Sequence, residues 1–328
     1  MGRAGESSGG PAAREPLLSV VICTVDRAGL LKGALESLAD QTAPPQSFGV
    51  IVVDNGSTDA TREVAEEFGQ VLTLRYVREE RMGLSHARNR AWAEARGDYV
   101  AYLDDDARAR PEWVANLCAA IEEEAPEVLG GPVVPVCTTS PDWFPLDSQG
   151  WSLGGQRRLL GRHEHVRGEN FAVARALLER LGGFRPDLGM AGGALGYGEE
   201  TELQERLRRE QPGARVLYCP GVVVEHLVRP EKMTLRWQFR RAWRQGWQAA
   251  HIYDARAFSS SRWPRLHALA LACGHLPLAA LLLASCPLRS RRRSPYWRTY
   301  VMLRVLPHVY SFCAHASFVL ARRRSEGG

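Results

Sequence analysis

Short apolar runs alternate with amphipathic stretches along the first third of the chain. Nearly continuous apolar runs, typical of strands that are buried on both faces, occur at residues 17–24, 48–54, 71–77 and 98–103. Helical periodicity follows each of the first three runs, at residues 28–39, 59–68 and 84–95. This alternation predicts an α/β fold in which about the first 130 residues form a mostly parallel sheet flanked by helices.

The pattern changes in the middle of the chain. Residues 137–165 are rich in Pro, Gly and Trp and show no periodicity, whereas order resumes after them. A Gly-rich loop precedes a helix that is predicted to begin near Glu199, and short strands are predicted at 214–219 and 222–225. The ordered body is therefore expected to end at residue 229.

The C-terminal part contains an amphipathic segment and two apolar segments. Residues 231–247 carry a stripe at i+4 spacing, formed by Leu235, Phe239, Trp243 and Trp247. This pattern predicts a helix whose stripe either packs on the body or lies at a membrane interface, with the neighbouring arginines at anionic headgroups. Residues 266–288 and 305–321 lack Asp, Glu, Lys and Arg, and arginines follow each segment closely.

Composition places the chain among folded proteins. It has 328 residues, of which 45% are hydrophobic and 24% charged, and this excludes a disordered, collagen-like or fibrous class. Residues 1–16 are rich in Gly, Pro, Ser and Ala without an apolar core, so we expect a disordered leader and no signal peptide. The seven cysteines form no CxxC pair, which favours a reducing, cytoplasmic setting over a zinc cage or a disulfide framework.

The net charge of +5 conceals two opposite parts. Residues 1–229 carry 25 Lys and Arg against 34 Asp and Glu, a net charge of −9. Residues 230–328 carry 17 against 3, a net charge of +14. The basic C-terminal part is therefore expected to meet an anionic surface, either a membrane or a nucleic acid.

Acidic side chains follow the predicted strands at the points where these strands end. Asp26, Asp54 and the run Asp104–Asp106 occupy such positions, and ligands bind beyond the carboxyl ends of strands in open α/β sheets. Three adjacent aspartates repel one another and raise one another's pKa unless a cation neutralises them. A hard divalent cation that holds a substrate phosphate would neutralise them. The alternative is a solvated loop in which Asp106 caps the next helix.

Five motifs occur in one order: SVVICTVDR, VVDNGSTDAT, GLSHARNRA, YLDDDARARPEW and, after a Gly-rich loop, GEETELQERL. Together they resemble the family 2 glycosyltransferases over roughly residues 17–228. The resemblance implies the GT-A fold, a Rossmann-like, mostly parallel sheet flanked by helices, followed here by a basic helical extension. It implies a catalytic domain at 17–229, with a nucleotide-sugar part (17–136) and an acceptor part (137–229), and a C-terminal region at 230–328.

The resemblance also implies roles for individual residues. Those expected to bind the nucleotide-sugar donor are Thr24, Asp26, Arg27, Asp54, Arg88, Asn89, Asp104, Asp105 and Asn170. Asp54 would read the nucleobase, and Asp104 and Asp106 frame the DxD motif that binds a divalent metal, Mg²⁺ or Mn²⁺. His226 would be a further metal ligand. From the residues alone, Asp54 also fits a turn, Arg88 an ion pair on its own helix, and His226 a structural role.

Glu199 and Glu200 lie at the predicted start of a helix, where the helix dipole stabilises acidic side chains. The family pattern here is Glu-Asp, and its second carboxylate is the general base. Glu200 takes that position with one extra methylene, so Glu199 is the fallback base or the residue that positions the acceptor. The implied reaction is an inverting transfer from a nucleotide diphosphate sugar, with UDP ahead of dTDP and GDP, to a hydroxyl of a glycan, lipid-linked or small-molecule acceptor.

Two other classes of protein share some of these features. A sugar nucleotidyltransferase usually has a Gly-rich, basic loop near its first strand, and the loop here, CTVDRAGL, has one glycine and one arginine. A non-catalytic adaptor would use the basic C-terminal part to bind a membrane surface or a nucleic acid. The acidic rim and the lack of a nucleic-acid motif argue against nucleic acid as a partner.

The implied activity bears on how the C-terminal part meets a membrane. Nucleotide sugars are cytoplasmic, so a single crossing by residues 266–288 would place the arginines that follow outside, against the positive-inside tendency. We therefore expect peripheral or monotopic contact with the cytoplasmic face of the membrane through residues 231–328. A soluble helical cap that buries both apolar segments is the alternative.

Overall fold

The computed structural model describes residues 15–192, 196–253, 264–285 and 296–320. The expected leader lies outside this part apart from its last two residues, as do the C-terminal ends of both predicted apolar segments. The described chain forms a large sheet, a small sheet and a C-terminal group of helices.

The secondary structure alternates as the apolar runs predict. The strands are β1 (Leu18–Thr24), β2 (Phe48–Asp54), β3 (Leu74–Arg78), β4 (Tyr99–Leu103), β5 (Ala107–Ala109), β6 (Val128–Gly130), β7 (Val133–Val136), β8 (Arg158–Leu159), β9 (Asn170–Ala174), β10 (Val216–Tyr218) and β11 (Val224–Leu227). The helices are α1 (Ala28–Ala39), α2 (Thr61–Phe68), α3 (Leu84–Glu94), α4 (Trp113–Glu124), α5 (Arg175–Leu181), α6 (Glu199–Glu210), α7 (Leu235–Ile252), α8 (Pro264–Ala284), α9 (Trp297–Tyr300) and α10 (Leu306–Leu320). Short 3₁₀ turns lie at Pro45–Ser47, Leu146–Gln149 and Pro230–Met233, and a π-helical segment at Val301–Val305 joins α9 to α10.

The large sheet has the strand order β3-β2-β1-β4-β9-β6-β10-β8. Strands β1 to β4 are parallel to one another, and β9 runs antiparallel between β4 and β6. The expected Rossmann-like, mostly parallel sheet is confirmed. Because β9 inserts between two strands of the N-terminal part, the nucleotide-sugar and acceptor parts of the predicted catalytic domain share one sheet.

The central strands are buried on both faces, as their continuous apolar sequences predict. On one face Val20 of β1 belongs to an apolar cluster with Leu35 of α1 and Leu117 of α4. On the other face its neighbour Val21 belongs to a second cluster, with Leu203 of α6. Helices on both sides therefore fix the carboxyl end of β1, where the loop with Asp26 begins.

Two boundaries in the first 130 residues differ by two or three residues from those predicted. α2 begins at Thr61 rather than at residue 59, because the Asp59 side chain accepts the Thr61 N–H at 3.1 Å and so precedes the helix. β3 begins at Leu74 rather than at residue 71, because the Leu72 N–H is still bonded to the Phe68 carbonyl in the turn after α2. Side-chain capping and turn closure, which leave little trace in hydrophobic periodicity, decide both boundaries.

The small sheet has the order β5-β11-β7 and lies beyond the aspartate run. In the antiparallel pair β5–β11, His226 is the register partner of Ala107, the residue that follows Asp106. Strand pairing, and not sequence proximity, therefore brings the histidine to the aspartates.

The C-terminal helices pack mainly on one another. α10 lies against both α7 and α8. Gly246 allows the close approach of α7 to α10, because a Cβ there would lie 2.6 Å from the Tyr310 carbonyl oxygen and from Cys313 Cβ. α8 is buried only along a narrow stripe of small residues, Ala268, Ala272 and Ala279.

The rest of α8 remains exposed. Residues Leu266–Ala284, with a mean hydropathy of 1.9, form the one helix of the described chain that is long and apolar enough to span a bilayer. Its exposed leucines are 40–63% accessible and are Leu266, Leu269, Leu276, Leu278, Leu281 and Leu283. The alternative of a soluble cap that buries both apolar segments is therefore wrong for α8. In α10, by contrast, one side of the helix is buried, with Val309, Cys313 and Phe318.

The aromatic stripe of the amphipathic helix also faces outward. Phe239 and Trp243 of α7 are 45% and 39% exposed and stack on each other with ring centroids 6.1 Å apart. The buried residues of α7 are Gln238, Gly246, Ala249 and Ile252. Leu235 packs beside Val228 and Met233, and Trp247 is half-buried. The interpretation in which the stripe packs on the body therefore holds for Leu235 and is wrong for Phe239 and Trp243.

Candidate active site

The loops at the carboxyl ends of β1 and β2 are tied together by their own side chains. The Asp26 carboxylate accepts the Thr58 N–H at 2.7 Å, and the Ser57 hydroxyl accepts the Asp26 N–H at 2.9 Å. Asp59 accepts the Ala28 N–H, also at 2.9 Å, at the start of α1. Asp26 has a φ of 50°, a left-handed conformation that Asp adopts more readily than most residues. This edge of the site is therefore preformed.

The first two aspartates after β4 have different partners. Asp105 accepts hydrogen bonds from Thr24 Oγ1 at 2.7 Å and from Arg27 Nη1 at 2.9 Å, so it holds the β1 loop. Asp104 Oδ1 lies 3.6 Å from Arg88 Nη2. Cations on opposite sides of the loop therefore separate the two negative charges.

Asp104, Asp106 and His226 form the one group of potential metal ligands found in the described residues, with one ligand atom from each lying within 4.8 Å of the others. Asp106 Oδ1 lies 3.0 Å from His226 Nε2, and its Oδ2 accepts a hydrogen bond from Lys232 Nζ at 3.2 Å. Asp106 thus pairs with cations and does not cap the next helix, whose N-cap is Glu112.

Burial and neighbouring charges shift the pKa values of these three side chains in different directions. Burial, Asp106 and Glu169 raise the pKa of Asp104 to about 7, against the effect of Arg88. Burial acts to raise the pKa of Asp106 as well, but His226 and Lys232 hold it well below the usual range. Burial acts to lower the pKa of His226, and Asp106 overcomes this and raises it. A bound divalent cation would favour the ionised form of both aspartates.

Arg88 of α3 is a buried cation at the centre of the site. It donates from Nη1 to Glu199 Oε1 at 2.8 Å and from Nη2 to the Gly168 carbonyl at 3.2 Å. Its Cζ lies 5.4–5.7 Å from three ring centroids, those of Tyr102, Phe171 and Phe184. Since Glu199 belongs to α6, the alternative in which Arg88 pairs with a carboxylate on its own helix is wrong.

Glu199 and Glu200 diverge from the start of α6. Gly198 before them has a φ of 87°, and a Cβ there would lie 2.2 Å from Ile252 Cδ1. Glu199 turns to Arg88, whereas the Glu200 carboxylate lines the cavity and accepts one side-chain hydrogen bond, from the Thr201 hydroxyl at 3.4 Å. Burial raises the pKa of both, that of Glu199 to about 7 with a contribution from Glu200.

A cavity of about 1000 Å³ joins these groups. The strand-end loops supply one wall, which includes Thr24, Asp26, Arg27, Asn55 and Asp104–Asp106. The C-terminal helices supply another, which includes Trp237, Arg241, Gln245, Ile252 and Tyr310. The cavity therefore runs from the ends of the parallel strands, where nucleotides bind in such sheets, to the helical extension.

This arrangement can be compared with known proteins. Residues 19–182 match the family described as Glycosyl transferase family 2. The chain belongs to this family. The match covers the β1 loop, Arg88 and the aspartate run, and it makes the protein a glycosyltransferase rather than a sugar nucleotidyltransferase or a non-catalytic adaptor.

Some relatives align over most of the chain. Glucosyl-dolichyl phosphate glucuronosyltransferase of Haloferax volcanii is 31% identical over 239 residues, which are 70% of this chain and 75% of that protein. Among solved structures, the mannosyltransferase PcManGT from Pyrobaculum calidifontis in complex with GDP-Man and Mn²⁺ has a TM-score of 0.59 at 24% identity, covering 96% of this chain and 91% of that one. S. aureus TarS 1–349 in complex with UDP-GlcNAc has a TM-score of 0.53 at 18% identity, covering 91% and 90%. These two structures share the fold of this chain, and the GT-A expectation is confirmed.

Most of the predicted site residues line the cavity, namely Thr24, Asp26, Arg27, Arg88, Asp104, Asp105, Asp106, Glu199, Glu200 and His226. Asp54, Asn89 and Asn170 do not. Asp54 is 1% exposed and accepts the Ser57 N–H at 2.7 Å and the Tyr76 hydroxyl at 2.5 Å. Its carboxylate therefore closes the turn after β2, and the neighbouring Asn55 lines the cavity instead.

The two asparagines act as internal braces. Asn89 donates to the Phe184 carbonyl and accepts the Phe184 N–H, each at 2.7 Å, so it fastens α3 to the loop after α5. Asn170 is fully buried, accepts the Trp113 indole N–H at 2.8 Å and donates to the Val222 carbonyl at 2.8 Å. These bonds use the side-chain amides within the fold, and the expected donor contacts find no support in these positions.

Sequence reasoning missed several charged residues in the cavity wall, among them Glu169 and Lys232. Glu169 contributes to raising the pKa of Glu199 and Glu200. It follows Gly168, where a Cβ would lie 3.1 Å from Glu200 Cδ, so the glycine admits both carboxylates to one space. A charged residue directly before an apolar strand was the available signal for Glu169, whereas Lys232 lies in a turn without any motif.

We predict that Arg88→Met destabilises the fold by about 3–5 kcal/mol, because Glu199 is left as a buried charge without its partner. Their side chains are only 3% and 5% exposed. Adding Glu199→Gln to Arg88→Met should recover at least about 1 kcal/mol, because the amide needs no cation. Urea unfolding of the single and double variants measures both values. Strictly additive effects would contradict the pairing.

Proposed function

We propose that the protein is an inverting, metal-dependent glycosyltransferase that moves a sugar from a nucleotide diphosphate to a hydroxyl of its acceptor, with Glu200 as general base. The contrast between two adjacent carboxylates carries this proposal. Arg88 binds Glu199 at 2.8 Å, whereas no Lys, Arg or His of the described residues lies within 4.0 Å of the Glu200 carboxylate. A carboxylate in the cavity without an ion pair is available to accept a proton.

The donor in this proposal is a nucleotide diphosphate sugar, with UDP expected first and dTDP or GDP behind it. Solved structures with the same fold hold GDP-Man or UDP-GlcNAc. In this chain the preformed loops with Asp26 and Asn55 stand at the carboxyl ends of β1 and β2, where nucleotides bind in α/β sheets.

A divalent cation, Mg²⁺ or Mn²⁺, would be held by Asp104, Asp106 and His226. The donor set fits, because two carboxylates and an imidazole within 4.8 Å of one another suit Mn²⁺, and the carboxylates suit Mg²⁺. Such a cation stabilises the negative charge of a departing diphosphate. Lys232, with its ammonium 3.2 Å from Asp106, adds a positive charge at the same end of the cavity.

Glu200 takes the proton of the acceptor hydroxyl as its oxygen attacks the anomeric carbon from the face opposite the nucleotide. The bond from that carbon to the diphosphate oxygen breaks as the glycosidic bond forms, so the configuration inverts without a covalent enzyme intermediate. Burial raises the pKa of Glu200 and makes it a stronger base than an exposed glutamate. Arg88 connects two walls of the cavity, because its Nη1 binds Glu199 of α6 and its Nη2 lies 3.6 Å from Asp104 Oδ1 after β4.

We further propose that the C-terminal helices lie at the cytoplasmic face of a membrane, without a full crossing. A helix that lacks Asp, Glu, Lys and Arg from Leu266 to Ala284 and leaves most of its leucines exposed, as α8 does, suits a lipid environment better than water. The stacked Phe239 and Trp243, beside the exposed Arg240 and Arg244, have the composition of an interfacial helix.

We predict that Glu200→Gln lowers kcat by about 10²- to 10⁴-fold, because the amide accepts no proton in the transition state. Release of nucleoside diphosphate from a panel of donors, with Mg²⁺ or Mn²⁺, measures this. Glu210→Gln, an exposed position at the end of the same helix, is the matched control and should leave kcat unchanged.

The same carboxylate sets the direction of the pH dependence. The base works only when it is ionised, and its pKa is raised, so kcat should fall as the pH drops through a value above the ordinary glutamate pKa of about 4.3. A Glu200→Gln enzyme with wild-type turnover and the same acidic limb would rule out this assignment.

We predict that Asp106→Asn weakens Mn²⁺ binding at least roughly tenfold, because a charged ligand is lost. Titration of Mn²⁺ followed by electron paramagnetic resonance measures free and bound ion without any turnover. Glu225→Gln, next to His226 on β11 and paired with Arg110, is the control. Equal Mn²⁺ affinity in Asp106→Asn and wild type would place the metal elsewhere.

We predict that the protein floats with vesicles of phosphatidylcholine and phosphatidylglycerol at low salt. The double substitution Leu276→Glu and Leu281→Glu should reduce the bound fraction about tenfold or more, because it puts charges on the exposed apolar face of α8. Leu159→Glu on β8, also an exposed leucine, is the matched control. Wild-type protein that stays unbound to these vesicles would refute the membrane contact.

A further inference from the structure

α7 presents two chemically different faces. One face lines the cavity, mostly at i+4 spacing, with Trp237, Arg241, Gln245 and Ile252. The opposite face is exposed and carries Arg236, Phe239, Arg240, Trp243 and Arg244. α7 therefore separates the interior of the cavity from the basic and aromatic outer surface, and Arg241 is directed inward, unlike the other arginines of this helix.

Two cavity arginines lack a carboxylate partner. Among the described residues, no Asp or Glu oxygen lies within 4.0 Å of the guanidinium of Arg167 or Arg241, and Arg241 is held by the neutral Gln149 side chain at 3.0 Å. Arg88, in the same cavity, has Glu199 at 2.8 Å. Glu169 acts on both guanidinium groups at longer range, so two neighbouring cations share one carboxylate. Buried positive charge in excess of negative charge is costly, so this pair is suited to a further anion from outside the chain.

A third hydrogen-bond donor stands in the same wall. The Tyr197 hydroxyl is buried and has no hydrogen-bond partner among the described residues. It interacts electrostatically with Arg241 and with Arg240, and burial and the nearby charge of Arg167 lower the pKa of Arg241. Buried polar groups are normally paired, so an unpaired hydroxyl in the same cavity wall as two guanidinium groups without a carboxylate contact indicates a ligand.

We propose that Arg167, Arg241 and Tyr197 form an acceptor-side subsite for a phosphate group. This inference rests on the proposed transferase function and names the class of acceptor: a hydroxyl compound that carries a phosphate, either on a lipid or on a soluble sugar. A single guanidinium can satisfy a carboxylate in bidentate fashion, whereas a phosphate has enough oxygens for both arginines and the tyrosine.

The subsite lies on the acceptor side of the cavity. Arg167 directly precedes Gly168, and a Cβ on Gly168 would lie 3.1 Å from Glu200 Cδ, so the subsite adjoins the proposed base. The diphosphate end has its own cations, with Lys232 and Arg229 at 3.2 and 3.6 Å from Asp106. The two phosphate-binding regions are therefore distinct.

Calorimetric titration of the full chain with dodecyl phosphate, below its micelle concentration, and with glucose 1-phosphate tests the subsite. We expect wild-type protein to bind at least one of them, and Arg241→Gln and Arg167→Gln to weaken that binding about 10- to 100-fold. Arg241→Lys should lie between, because it keeps the charge but loses the two-pronged donor. Tighter binding of dodecyl phosphate would identify a lipid-borne phosphate, and tighter binding of glucose 1-phosphate a soluble one.

Arg236→Gln and Arg244→Gln, on the outer face of the same helix, are matched controls and should keep the affinity within about twofold. Failure of wild-type protein to bind either probe, or a loss that follows Arg236 and Arg244 instead of Arg241, would overturn the subsite. Thermal unfolding confirms that each variant is folded. Donor hydrolysis by wild-type protein tests the proposed function separately, so failure of one is distinguishable from failure of the other.

Discussion

Repulsion among carboxylates in one buried space is the constraint on which this structure depends. In the cavity Asp104, Asp105, Glu199 and Glu200 each have a pKa that burial and a neighbouring carboxylate raise. Like charges at low dielectric are tolerated only with cations close by, and several cations of the cavity pair with particular carboxylates. Arg88 forms an ion pair with Glu199, and His226 and Lys232 form ion pairs with Asp106. Glu200 keeps no ion pair among the described residues, and a proton acceptor is useful there.

The cations come from elements that are distant in sequence, and the sheet topology brings them together. Pairing of β11 with β5 delivers His226 to the aspartate run, and insertion of β9 between β4 and β6 delivers Gly168 and Glu169 to the same cavity. Glycine is required where these elements meet. Gly198 has a positive φ, and a Cβ there would overlap the Ile252 side chain. A Cβ on Gly168 would crowd the Glu200 carboxylate. The backbone thus makes the space that the charged side chains use.

The basic C-terminal part is not an independent appendage. Its first long helix, α7, supplies a cavity wall on one face and an exposed aromatic and basic surface on the other. The positive charges of residues 230–328, a net +14, are therefore divided between two surfaces. Lys232 and Arg241 line the cavity, whereas Arg240 and Arg244 are exposed on the outer surface. A helix that meets both the acceptor end of the cavity and a surface suited to lipid links the two proposals physically.

The sequence by itself determined the sheet, the strand-end aspartates and the family, because burial of parallel strands imposes continuous apolar runs and the site motifs are local. Most of the site residues that it identified do line the cavity. It left open the face of α7 that is buried, and it assigned Asn89 and Asn170 to donor binding. Only the tertiary structure showed the buried face of α7, the pairing of Glu199 with Arg88 and the bond between Asn170 and Trp113, because the partners of each bond are 111 and 57 residues apart in the chain.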